Sequence, residues 1–268
     1  MRLALFYSAV FTVAGAHLPF FSVWLKAIGT DATWIGIIMA LPAVTRFTTL
    51  PYATALAENR HAIRAGIMIA VFGTMAGFTV LGLQRAPSAL LVVYAVTCVL
   101  WTPTVPLTDA YALRGVAHYG LDYGPVRLWG SAAFAAGTLL CGFLVDTIPG
   151  RDLIWVIVGF TVLAALTSLL LQPLQDIRRK AADAGSATRL LRDGGFWAII
   201  VSAALIQDSH VAYYTFSAIA WQAHGLGGLT IGGLWTLGVI AEIVVFALSP
   251  RFSLPASSLM AIGGAAAV

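Results

Sequence analysis

The chain has 268 residues, 60% of them hydrophobic and 10% charged, with a mean hydropathy of +0.90 and a net charge of +4. A water-soluble domain carries about a quarter charged residues, so an ordinary soluble fold is excluded. The small basic excess is too dilute for a nucleic-acid surface and reflects where the basic residues fall along the chain.

Arg2 precedes an apolar stretch, 3–25, that is long enough to cross a bilayer and lacks a convincing small-residue cleavage site. It reads as a signal anchor and first transmembrane helix. Further spans are predicted at 34–56, 63–83, 88–113, 125–145, 153–171, 196–221 and 230–248. A ninth apolar stretch, 255–268, is too short to cross, and the chain is expected to end within that helix. Cys98 and Cys141 lie inside spans without metal-ligand spacing and read as small packing residues.

The basic residues alternate between loops. Arg2, Arg60, Arg64, Arg114, Arg178, Arg179, Lys180, Arg189, Arg192 and Arg251 fall on one side, and Lys26, Arg85 and Arg151 on the other. The positive-inside rule then places the amino terminus and the 172–195 loop in the cytoplasm. Trp34, Trp155 and Trp221 stand near span ends, as interfacial anchors do. The polar, basic stretch after span six reads as a solvated linker.

Beyond the linker the sequence faintly echoes its start. Phe21-Ser22 matches Phe216-Ser217, Ile35-Gly36 matches Ile231-Gly232, and Arg46 falls where Glu242 falls, at nearly one offset. A parallel repeat of six-helix halves is a transporter architecture with its site between the halves.

Arg46, Asp109, Arg127, Asp208 and Glu242 sit inside or at the edge of apolar segments. Ionisable groups there cost roughly 2.5–3.5 kcal/mol on insertion scales, so they point to a wet, functional interior. Asp109, late in span four, and Arg127, early in span five, lie on antiparallel neighbours and are expected to meet. Together they suit neighbouring hydroxyls or an acid group; the alternative is an interfacial, snorkelling Arg127 paired with Asp109. Gln207, His210, Tyr214, Ser217 and Trp221 recur every three or four residues on one face of span seven. That stripe suits either a cavity wall for a ring or polar helix packing, with His210 a candidate proton carrier. Asp208 lies off the stripe. Glu242, deep in span eight, requires protonation or a partner from another helix, and either state suits proton coupling. Arg46 reads as a cavity charge or a structural partner, and His17 beside Pro19 as a structural contact. The chain contains no zinc, nucleophile-elbow or P-loop motif, and its only lysines, Lys26 and Lys180, lie outside the helix centres, which excludes a central retinal Schiff base.

Five segments carry a resemblance. They are Pro19-Phe20-Phe21-Ser22-Val23-Trp24-Leu25, Pro106-Leu107-Thr108-Asp109, the run from Tyr123 through Ser131, the run from Ser209 through Phe216, and the run from Leu234 through Glu242. With these the chain resembles the major facilitator superfamily, most closely its phenylpropionate-permease branch and more distantly its lactose-permease branch. The resemblance implies that Asp109 and Arg127 bind substrate, that Glu242 links substrate to proton, and that Phe134 takes the place of a sugar-stacking tryptophan. The gating loop of the superfamily is matched around Glu58 and Arg60, with Asn59 in place of an arginine and His61 in place of a glycine. The superfamily has twelve helices, of which this chain carries eight and part of a ninth.

The expected fold is an all-α polytopic membrane protein of the major facilitator type. Residues 1–172 form the N-terminal six-helix bundle, 173–195 a cytoplasmic linker, and 196–268 the start of an incomplete C-terminal bundle. The expected function is secondary active transport, a proton-coupled symport of a small organic molecule such as an aromatic acid by alternating access. A sugar or nucleoside symporter, or a truncated remnant or binding subunit that transports nothing, are the alternatives. The expected substrate-binding set is Asp109, Arg127, His210, Tyr214, Trp221 and Phe134; the proton-coupling set is Glu242, Asp208 and His210; the gating loop contributes Glu58 and Arg60. Expected partners are the substrate, protons and the lipid bilayer, with no nucleic acid, metal, cofactor or enzymatic activity. Oligomeric state is left open.

Overall fold

In lipid, an apolar run satisfies its backbone only within a helix or a closed barrel, and this chain takes the first route. The computed structural model describes residues 1–59, 62–119, 123–173, 192–248 and Ser258. Among them nine α-helices form: α1 (Arg2–Ala27), α2 (Ala32–Asn59), α3 (Ile63–Gly82), α4 (Pro87–Trp101), α5 (Thr104–Tyr119), α6 (Tyr123–Val145), α7 (Leu153–Ser168), α8 (Gly194–Ala223) and α9 (Gly228–Leu248). Seven stretches are long and apolar enough to cross a membrane, with Gly228–Ala241 a shorter apolar piece. The predicted ninth stretch, 255–268, lies outside the described residues apart from Ser258.

Seven of the eight predicted spans fall on these stretches and the eighth on the shorter piece, and one span differs internally. Span four is interrupted: α4 stops at Trp101, Thr102 and Pro103 turn, and α5 resumes at Thr104. Pro103 has no N–H to continue the ladder. Next to the break, the Thr102 hydroxyl meets that of Thr45 on α2 at 2.8 Å, so a neighbouring helix supports it.

Contacts divide the chain into two units, one of residues 1–174 with 215–240 and one of 175–214 with 241–268. In the first, α1 is the central post, packing chiefly on α6 and α7. Small residues permit this. A Cβ on Gly15 would stand 2.2 Å from the Phe134 carbonyl oxygen, and the Thr138 hydroxyl donates to the Gly15 carbonyl at 2.8 Å. Such small-residue crossings hold membrane helices together where no hydrophobic force separates helix from lipid. Around α1 a core of Phe6, Tyr7, Val10, Ile67, Leu107 and Ala164 closes.

The ends of α1 and α8 are built alike. After α1, Gly29 takes φ +88° and the Thr30 amide donates to the Leu25 carbonyl; after α8, Gly225 takes φ +83° and the Leu226 amide donates to the Trp221 carbonyl. Both are Schellman stops, which need a residue tolerant of left-handed backbone. The next helices start differently. Asp31 caps α2 locally, accepting from the amides of Thr33 and Trp34 at 2.9 and 3.1 Å. The start of α9 borrows its cap from α6: Asp146 accepts from the amides of Gly228 and Leu229 at 2.7 and 3.2 Å. Gly142 and Gly228 allow that approach, since a Cβ on either would stand 2.4 Å from the other's carbonyl oxygen. In the second unit the described backbone is the first part of α8 and the end of α9.

Candidate functional site

The face of α6 that carries Arg127, Gly130, Phe134 and Thr138 repeats at helical spacing and lies along α1. At one end of this contact the Arg127 guanidinium carbon stands 4.3 Å over the centre of the Phe11 ring. One of its amino groups donates to the Ser131 hydroxyl at 3.5 Å, one turn further on the same helix. A Cβ on Gly130 would meet the Phe11 ring at 3.0 Å, so the missing side chain is the seat of that ring. Phe11 in turn stacks with Tyr7, centroids 6.0 Å apart and planes 16° from parallel. The Tyr7 hydroxyl donates to a carboxylate oxygen of Asp109 on α5.

Asp109 and Arg127 are therefore joined through two aromatic residues of α1. Among the described residues no ion pair links them directly, and the guanidinium turns to Phe11 and Ser131. A stacked cation is worth about 0.5–2 kcal/mol, more as water is removed. The ring confines the guanidinium on one side, and its N–H donors, one of them on Ser131, are the groups that can meet a planar anion. Asp109 supplies an acceptor, and Tyr7 orients it. Neither Tyr7 nor Phe11 stood out in the sequence, because an aromatic residue in an apolar span looks like any core residue. Their spacing of one helical turn was the available signal. Phe134 is half-buried one turn beyond Gly130, its carbonyl against Gly15.

Within the first part of α8, the Nδ1–H of His210 donates to the Ile206 carbonyl at 2.8 Å. That ring lies 5.8 Å from the half-buried Tyr214, tilted by 36°. Later on α8, Trp221 is partly buried and Ser217 is buried. The hydroxyls of Ser217 and of Ser22, its counterpart in the sequence echo, find no hydrogen-bond partner among the described residues. The side chains of Asp208 and Glu242 lie outside the described residues, as does all of Arg60. Glu58, the other expected loop residue, pairs with Arg114 at 3.8 Å across the ends of α2 and α5, with both side chains substantially exposed.

Arg46 is exposed on α2. His17 is buried among Phe21, Phe78, Tyr94 and Trp101, with its Nε2 2.9 Å from the Tyr94 hydroxyl. A hollow of ≈ 330 Å³ opens at the other end of α1, lined by Val23, Lys26, Ala27, Val145, Gly150 and Gln222. It begins about 18 Å along the helix from Phe11 and holds none of the expected residues.

Residues 1–263 match the family described as MFS_1 like. Over 254 residues the chain is 37% identical to a probable 3-phenylpropionic acid transporter of Escherichia coli (strain K12), a match that covers 93% of this chain and 66% of that protein. It is 35% identical over 147 residues to a maltose permease of Geobacillus stearothermophilus, covering 54% of this chain and 37% of the permease. Among solved structures it is similar to the nucleoside transporter NupG, with a TM-score of 0.76 at 14% identity, covering 94% of this chain and 66% of that one. That likeness shows the fold: an all-α polytopic membrane protein of the major facilitator type. The chain spans just under two thirds of the length of the relatives it matches most fully. These relatives are transporters and permeases, not enzymes.

Proposed function

We propose a transport function for this chain, which belongs to the MFS_1 like family. The reading is proton-coupled symport of a small organic acid, with an aromatic acid of the 3-phenylpropionate kind as substrate. Arg127 receives the carboxylate, Asp109 takes part in the same site, and Phe134, Tyr214 and Trp221 supply apolar and aromatic surface. Glu242, with His210 and Asp208, carries the proton. Residues 1–172 and 196–268 belong to two halves that rock about the site, with 173–195 as the linker and Glu58 and Arg60 in a gating loop. The amino terminus lies on the cytoplasmic side of a bacterial-type inner membrane.

The observation that carries the reading is the Arg127 guanidinium carbon 4.3 Å over the Phe11 ring, with Asp109 bonded to Tyr7 of the same helix as Phe11. An arginine in a membrane bundle is costly, and this one is held over a ring with the Ser131 hydroxyl as its hydrogen-bond partner among the described residues. The 37% identity to a probable 3-phenylpropionic acid transporter supports an acid as substrate. The identity to a maltose permease over 147 residues supports a second reading, a sugar.

Uptake of labelled 3-phenylpropionate into vesicles carrying the chain, driven by an imposed proton gradient, tests this. Accumulation that Glu242→Gln abolishes, and that excess maltose leaves unchanged, is the expected result. Gradient-driven uptake indifferent to Glu242→Gln removes the coupling role. Thermal stabilisation by the acid without any uptake favours a binding protein over a transporter.

A further inference from the structure

Arginine presents its N–H donors in one plane, as a fork that matches the two oxygens of a carboxylate. What such a fork selects depends on whether that plane is fixed. A free guanidinium turns to meet hydroxyls at many angles. One held over a ring has fewer orientations open to it. Here the ring is Phe11, 4.3 Å below the guanidinium carbon. The ring is itself held by two features: Tyr7 stacks on it from the same helix, and Gly130, three residues after Arg127, leaves the space it fills. An alanine at 130 would bring its Cβ to 3.0, 3.2 and 3.4 Å from ring carbons, and the ring would have to shift. The opposite end of the stack fixes the acid, because the fully buried Tyr7 donates to Asp109.

We propose that Phe11, seated on Gly130, is a positioning residue that fixes the plane of the Arg127 guanidinium and so reserves the site for a flat carboxylate rather than a polyol. The substrate class rests on the reading of Arg127 as substrate-binding; the positioning of Arg127 stands on geometry alone. Phe11 acts through Arg127.

The test uses the whole chain, purified, as wild type, Phe11→Leu, Gly130→Ala and Phe11→Tyr. The first readout needs no ligand: the rate at which phenylglyoxal modifies Arg127, followed by mass spectrometry. It is expected to rise about fivefold in Phe11→Leu and Gly130→Ala, the size of effect a lost cation–π contact gives, and to stay unchanged in Phe11→Tyr, which keeps a ring. The second is the ratio of dissociation constants for 3-phenylpropionate and its neutral amide. Preference for the acid is expected in the wild type and Phe11→Tyr, and to fall about fivefold in the other two. A merely structural role would weaken acid and amide alike. Equal labelling in all four proteins overturns the proposal. Labelling in the expected pattern with no acid preference in the wild type keeps the positioning role, but overturns the carboxylate class and, with it, the acid-transport reading.

Discussion

α1 and α8 are alike as sequences and opposite as structures. They have 26 and 30 residues, peak hydropathies of 1.5 and 1.3, and the same glycine-terminated stop. Yet 56% of the most apolar window of α1 is buried within the chain, and, among the described residues, none of that of α8. Hydropathy reports that a segment tolerates lipid, not which side chains it packs against. What distinguishes α1 is specific: Gly15 under the Phe134 carbonyl, Thr138 bonded to Gly15, Phe11 on Gly130, and the Trp24 indole donating to the Arg151 carbonyl at 3.1 Å. Among the described residues of α8, those buried are Thr215, Ser217 and Ala218.

The sharpest way to break this comparison is to overfill both helices. Gly15→Leu forces a side chain into backbone and is expected to cost about 3 kcal/mol in detergent unfolding. Ala203→Leu, on the exposed part of α8, is expected to stay within about 0.5 kcal/mol. Equal losses would dissolve the contrast. A second test concerns the two helices that follow. Asp146→Ala removes a cap shared between helices and is expected to cost about 1 kcal/mol. Asp31→Ala, whose cap is local and exposed, is expected to cost less, and thermal midpoints of the two proteins rank them. Thr138→Val deletes one interhelical hydrogen bond of α1, for which about 0.6 kcal/mol is the average in membrane bundles; no change in unfolding midpoint would mean that shape alone holds the contact. The smallest effect is expected at the Glu58–Arg114 pair. Glu58→Gln is predicted to shift stability by at most about 0.5 kcal/mol, and by nothing measurable in high salt.

The helical spans were legible because apolar length is a local property of a sequence. The break at Thr102–Pro103 was readable in principle from Pro103, but an uninterrupted apolar run masks it. The candidate site was half legible. Asp109 and Arg127 stood out because charges in apolar spans are costly. Their linkage did not, because it passes through Tyr7 and Phe11, and the side chains that meet across helices are set by packing rather than by neighbours in sequence. Gly130 shows the same limit: its role appears only when the ring above it is known.

The most direct test of the central claim, that Arg127 receives the carboxylate of a substrate, is equilibrium binding of 3-phenylpropionate to the purified chain and to Arg127→Gln. The account predicts saturable binding by the wild type and a loss of at least about 30-fold in the variant, since truncating one partner of a buried charge pair costs 2 kcal/mol or more. Binding that survives Arg127→Gln undiminished would contradict it.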